Sequence, residues 1–427
     1  MYKFVLLFLS LFCFCNLFSN DLYLKINNKQ QSDKWESRER ADSLDCELFG
    51  HYNTGGTARN VFVKDTLAYI ADYDNGLCII NISDPTNPSE IGSYNTDGHS
   101  YNVFIKDTLA YVADYINGLR IINISNPTNP TEIGFFNTFE RALSVFVKDT
   151  LAYVGDDWDG LRIINISNPA NPSEIGFYDL NGFAWDVYVK DTLAYIADGD
   201  NGFCIINVSN PTNPSEIGHL FITGKANGVY VKDTLAYIAG GNYGLRIINV
   251  SNPTTPYRIG YYLTNGNARG VFVKDTLAYV ADYEDGLRII NVSNPTSPSE
   301  IGFYDTNGQA YNVYIKDTLA YVADGDNGLN IIHYKWALGI KNIQNVKDIY
   351  NVSVNSTNGL TINYSLKNRA YVKIKVYNIL GQINCFAVNG VKSPGNYSVK
   401  CNCNTGIYFI RSEIDKYIHT ERIIFIK

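Results

Sequence analysis

The chain has 427 residues, 45% of them hydrophobic, which is enough for two or three domains with buried cores. Its 33 Tyr and 21 Phe favour strands over helices. Net charge is −7 with no basic run, which excludes the clustered cations that a nucleic-acid partner requires.

The first twenty residues, MYKFVLLFLSLFCFCNLFSN, carry one Lys and then an apolar run to Phe18. This is the pattern of a secretory signal peptide, residues 1–19, and it is too short for a membrane span. Phe12 before Cys13 and Phe14 before Cys15 argue against a lipoprotein anchor, which wants small residues there. Residues 20–45 include KQQSDKWESRERADS, a charge-dense leader with no strand pattern. No later stretch is long and apolar enough to span a bilayer, so no transmembrane segment is expected in the mature chain.

Residues 46–336 repeat themselves. KDT recurs at Lys64, Lys106, Lys148, Lys190, Lys232, Lys274 and Lys316, every step 42 residues, with no insertion. Each copy parses into four strands, in the first copy ARNVFV, TLAYIAD, GLCIINIS and SEIGSYNT. The first three are apolar on both faces, as sheets packed between two neighbours must be. Twelve of the 13 prolines fall between the third and fourth strands, where a missing N–H harms no ladder. The period and strand count predict an all-β fold, a seven-bladed β-propeller. The last copy stops after GLNIIHYKW without a fourth strand. FGHYNTGG (Phe49–Gly56) lies in 42-residue register with IGSYNTDG (Ile91–Gly98), so the N-terminal strand is predicted to complete the last blade. That closure removes an aggregation-prone edge.

The copies vary in two places. Five residues before each Lys stand Arg59, Tyr101, Leu143, Trp185, Asn227, Arg269 and Tyr311; seven before it stand Thr57, His99, Arg141, Phe183, Lys225, Asn267 and Gln309. The loop between second and third strands varies too and supplies Trp158, Tyr243 and Tyr283. In an antiparallel blade these positions share one side, so variation is confined to one rim of the channel, with side chains at least partly exposed. Trp, Tyr and Arg are common at binding hot spots. The candidate binding set is Arg59, Tyr101, Arg141, Trp158, Trp185, Asn227, Arg269 and Tyr311. Neutral drift of an exposed surface is the plainer alternative.

Other chemistry is sparse. Asp72, Asp114, Asp156, Asp198, Asp282 and Asp324 close the second strand in six copies, with Gly240 in the fifth. With Asp74, Asp200 and Asp326 they approach an oxygen-donor set for calcium. The EF-hand spacing is absent, however, and an Asp capping a Gly turn explains them better; no cofactor is expected. The five His fall in different contexts, and no HExxH, G-x-S-x-G or phosphate-binding loop occurs. His99 and Asp186 are the one pair that the mouth could bring together for acid–base work. No catalytic set and no metal site are predicted. Cys78 and Cys204 sit where other copies carry Arg or Asn and read as incidental. Of Cys401 and Cys403, one is a candidate to pair with Cys385.

After a linker at 337–344, residues 345–427 alternate as short strands between turn signals, predicting a small immunoglobulin-like β-sandwich.

Two resemblances carry further expectations. GLRIINIS (Gly118–Ser125 and Gly160–Ser167) resembles the signature of the LVIVD-repeat family of bacterial propellers, which implies an extracytoplasmic ring and no single activity. VYNILGQ (Val376–Gln382), GIYFIR (Gly406–Arg411) and ERIIFIK (Glu421–Lys427) resemble the C-terminal sorting domain of the type IX secretion system. That likeness implies the secretion machinery as a partner, export across the outer membrane of a Gram-negative cell, and release or attachment at its surface. Asp-Thr-Leu is also similar to an O-glycan acceptor pattern of some Gram-negative bacteria, with Thr66 and its six equivalents as acceptors; a Thr that suits the turn is the simpler account. The expected function is a binding or adhesion module for a glycan or protein ligand. The alternatives are an extracellular enzyme on polysaccharide or peptide, and a structural surface protein.

Overall fold

A computed structural model describes residues 46–180, 182–334, 350–355, 360–366, 369–378, 383–401, 406–414 and 417–425. The expected signal peptide 1–19, leader 20–45 and linker 337–344 lie outside the described residues, as does Cys403.

After β1 (Cys46–Tyr52), the first blade is β2 (Asn60–Lys64), β3 (Leu67–Ala71), β4 (Leu77–Asn81) and β5 (Ser89–Tyr94), paired in that order. Five more four-stranded sheets repeat it, and the seventh joins β1 to Leu329–Tyr334, Leu319–Ala323 and Asn312–Lys316. The ring is therefore closed by its N-terminal strand. The strands are one or two residues shorter than their apolar runs because the flanking residues bridge to the neighbouring blade. Ala58, for example, exchanges both backbone hydrogen bonds with Gly325 (2.9 and 3.1 Å).

The two-sided apolar pattern is explained by the packing. Val61, Val63, Ala68, Ile70, Cys78 and Ile80 bury against Tyr321, Ala323, Leu329 and Ile331 of the last blade. Tyr69, Ala71, Leu77 and Ile79 alternate with them and bury against Val103, Ile105, Ala110 and Val112 of the next blade. Each strand thus contributes its two faces to two different cores, consistent with a period of two.

Two rings line the channel. Phe62, Phe104, Phe146, Tyr188, Tyr230, Phe272 and Tyr314 form a closed aromatic belt with neighbouring centroids 4.9–5.2 Å apart. Below it, Lys64 Nζ donates to the Asp107 carbonyl at 2.6 Å, and each later lysine does the same to the next turn until Lys316 reaches Asp65. The Asp holds the turn in the left-handed region, as Asp65 does with φ 53°, where its short polar side chain is tolerated. KDT is therefore both a turn and a clasp between blades.

The C-terminal module is described by itself. Strands Tyr350–Asn355, Leu360–Leu366 and Gly395–Cys401 form one antiparallel sheet; Ile383–Lys392, Ala370–Asn378, Gly406–Ile414 and Tyr417–Phe425 form another. Leu360, Ile362, Tyr364, Val372, Ile374 and Val376 are among the residues of both sheets that share its core. Cys385 is bonded to Cys401, joining the two sheets.

Candidate functional site at the variable mouth

The mouth is a backbone ring before it is a set of side chains. The loop after each blade's second strand meets the approach to the next blade's first strand through a two-way bridge. The seven bridges are Tyr73–Ser100, Tyr115–Ala142, Asp157–Ala184, Gly199–Ala226, Gly241–Ala268, Tyr283–Ala310 and Gly325–Ala58. The first residue of every pair is left-handed: φ is 47° at Tyr73, 55° at Tyr115, 48° at Asp157 and 56° at Tyr283, with glycine in the other three copies. A bulky side chain there is strained, and such strain gathers at functional sites.

Inside this ring lies a cavity of about 100 Å³, lined by Arg59, Tyr101, Leu143, Trp185, Asn227, Arg269 and Tyr311 together with Asn60, Asn102, Asp186, Gly270 and Asn312. All seven positions located five residues before the lysines converge on it. The expectation that they are at least partly exposed fails for Leu143 and Asn227, which are 6% and 8% exposed. Each packs into the wall, and Asn227 Nδ2 donates to the Ala268 carbonyl at 2.9 Å.

Arg141 and Trp158 are not among the cavity residues. Arg141 pairs with Asp157 at 3.2 Å and lies over Tyr115. Trp158, 54% exposed, packs on Phe183 with ring centroids 3.8 Å apart. Sequence reasoning missed Asn60, Asn102, Asp186 and Asn312. Their signal was a polar or small residue opening an otherwise apolar strand in every copy: Asn, Asn, Ser, Asp, Gly, Gly, Asn.

The wall is chemically two-sided. Arg59 lies 4.2 Å from the Tyr311 ring, 4.8 Å from Tyr73 and 5.4 Å from Tyr101, close enough for cation–π attraction. Arg269 lies over Tyr283 at 5.0 Å. Burial pushes the Tyr101 and Tyr311 hydroxyls up to about 12, so both stay neutral. Across the ring stand Leu143, Trp185 and Asp186. Burial pushes the Asp186 carboxyl up to about 7, although it accepts hydrogen bonds from the Val187 and Val229 amides at 3.0 and 2.9 Å.

The pair weighed for acid–base work does not form. Asp186 faces the cavity, but His99 Nδ1 meets Asp74 at 2.7 Å and its ring stacks on Tyr73 at 4.3 Å. The Asp-x-Asp loops are also occupied otherwise. Asp72 accepts from Thr54 Oγ1 at 2.5 Å and Asn75 Nδ2 at 3.0 Å, while Asp74 turns outward to His99. Among the described residues, no group of three or more His, Cys, Asp or Glu is placed to hold a metal.

This architecture is that of a seven-bladed β-propeller whose chemistry is concentrated at one mouth. The chain belongs to the LVIVD repeat family, whose repeat matches residues 55–96, 97–138, 141–180, 181–220, 223–264, 265–306 and 307–333. Solved structures with this fold include the WD40 β-propeller domain of Doa1, with TM-score 0.55, 12% identity, and coverage of 70% of this chain and 98% of that one. The RRP9 WD40 repeats give 0.55 at 10% identity, covering 69% and 99%. The designed Ika8 protein gives 0.50 at 7% identity, covering 67% and 99%. Identities this low speak to fold alone. No curated protein matches the chain.

Proposed function

We propose that this chain is an exported binding module that recognises a glycan or protein ligand at the variable mouth of its propeller. One observation carries the reading: the positions that vary between otherwise uniform copies meet in a single cavity. Repetition builds the ring, and departures from it are confined to where a ligand would sit. The three strained tyrosines around that cavity support the same reading.

The test is binding of the full chain to glycan and protein arrays, beside a variant with Tyr101, Trp185 and Tyr311 changed to Ala. Binding by the parent, lost in a folded variant, is expected. No binding by the parent on either array sinks the reading in favour of a structural surface component.

Export is supported by the apolar leader, by the three C-terminal motifs in order, and by the Cys385–Cys401 disulfide, which suits an oxidising compartment. Delivery by the type IX machinery predicts that removing 345–427 leaves the ring inside the outer membrane. Surface or medium display of that shortened chain would refute the route.

A further inference from the structure

Two cations at the mouth break a rule that others keep. Arg120, Arg162 and Arg288 each lie within 4.0 Å of a carboxylate, as does Arg141. Arg59 and Arg269 meet no carboxylate among the described residues. They stand in the first and sixth blades on either side of Tyr311, so two guanidiniums and one phenol make a continuous arc of cavity wall. The Nε of each is buried and finds no hydrogen-bond partner in the protein. Partly buried, unpaired like charges are costly to hold together, and the arc is shaped for an anion.

The opposite wall asks for something else. Trp185 Nε1 is a buried donor without a protein partner, and Asn227 Oδ1 is a buried acceptor without one. Asn227 is fixed by its other amide atom, so its oxygen cannot be turned away without losing the bond to Ala268. A carboxylate alone would satisfy the guanidiniums and the indole but not this oxygen. A hydroxyl both donates and accepts, so it serves Asn227 and Trp185 alike. The rings of Tyr101, Trp185 and Tyr311 offer flat apolar faces between these groups. The cavity of about 100 Å³ admits the acid-bearing part of one residue, about three waters' worth of space, leaving the rest on the rim.

We propose that the mouth binds an acidic sugar. Its carboxylate lies between Arg59 and Arg269 against Tyr311, and its hydroxyls lie on Asn227 and Trp185. This rests on the binding reading above and narrows it to a ligand class.

The experiment is calorimetric titration of the full chain with oligosaccharides bearing glucuronate, galacturonate or N-acetylneuraminate, their methyl esters, and a polyglutamate peptide. Binding of at least one acid is expected, with its ester and the Arg59→Gln and Arg269→Gln variants each about tenfold weaker or worse. Trp185→Phe, which keeps the ring and removes the N–H, is expected to weaken the acid as well. Should the Gln variants fail to fold, the ester comparison decides. The proposal is overturned if none of the three acids binds, if ester and acid bind alike, if both folded Gln variants bind as the parent does, or if only the peptide binds. A neutral array ligand lost in the triple Ala variant but indifferent to Arg59→Gln would sink the acidic sugar and leave the binding reading standing.

Discussion

Tyr73, Tyr115 and Tyr283 occupy a backbone position that Gly199, Gly241 and Gly325 fill in other copies with nearly the same left-handed φ. The chain therefore contains its own control. A non-glycine residue there costs about 1 kcal/mol or more, while glycine gives back part of that in unfolded-state entropy. Changing each tyrosine to Gly should thus alter stability by less than about 1 kcal/mol, yet strip Arg59, Arg141 and Arg269 of an aromatic partner. Near-parental melting with weakened ligand binding is the expected result; a steep drop in melting would make the tyrosines structural. The loops were legible as variable, but the strain was not, because φ is set by the bridge to the next blade. Cys78 and Cys204 likewise looked incidental and prove informative. Arg120, Arg162, Arg246 and Arg288 pair across the ladder with Phe135, Phe177, Tyr261 and Phe303, and each guanidinium lies 4.7–5.1 Å from that ring. Where Cys replaces Arg, Ser93 or His219 replaces the aromatic. The exchange is coupled, and sequence alone hides it because the partners lie 15 residues apart on different strands.

At the scale of the element, β1 reproduces a fourth strand in detail. It skips Phe49 in pairing with Leu329–Tyr334, as β5 skips Ile91 in pairing with β4. The 42-residue register made the strand's role legible; the bulge and the glycine after it were not. A Cβ on Gly50 would come within 1.9 Å of the Pro85 carbonyl, and one on Gly92 within 2.2 Å of the Pro127 carbonyl. The glycine exists so that the next blade's proline loop can seat against the strand, and no strand propensity calls for it. Gly50→Ala and Gly92→Ala should each cost about 1–3 kcal/mol, the usual penalty of forced overpacking. If Gly50→Ala were harmless and Gly92→Ala costly, the closing strand would not be seated as the others are. A chain starting at Thr57 removes β1 altogether. It bares the edge of Leu329–Tyr334 and uncovers Ile332 and Tyr334, so aggregation or a large loss in melting temperature is expected. An equally stable monomer would contradict closure.

Over the whole molecule, the uniform period made the seven-fold ring legible, while the stitching between blades was not. One consequence is a pH dependence of unusual sign. Asp72, Asp114, Asp282 and Asp324 are buried and accept from Thr54, Thr96, Thr264 and Thr306 at 2.5–2.6 Å. These bonds clamp the crossover between blades, yet burial outweighs them and raises all four carboxyls. Asp282 is pushed up to about 7. Asp198, facing Leu180 where the other copies have Thr, is pushed up to about 6 by burial. In the unfolded chain such groups release their protons near 3.8. Between that value and about 7 the folded state therefore holds more protons than the unfolded one, and stability must fall as pH rises through this window. Acidification from pH 7 to 5 should raise the melting temperature by several degrees, the reverse of a protein held by ionised carboxylates. The net charge of −7 pushes the same way by easing self-repulsion, so the parent alone does not separate the two causes. Asp282→Asn does. It keeps an acceptor for Thr264 and removes one titrating group with only one unit of charge, so the slope of melting temperature against pH should flatten measurably between 5 and 7. A parental slope in that variant would assign the effect to the surface field, and a melting temperature that falls on acidification in the parent would refute the buried-carboxyl account.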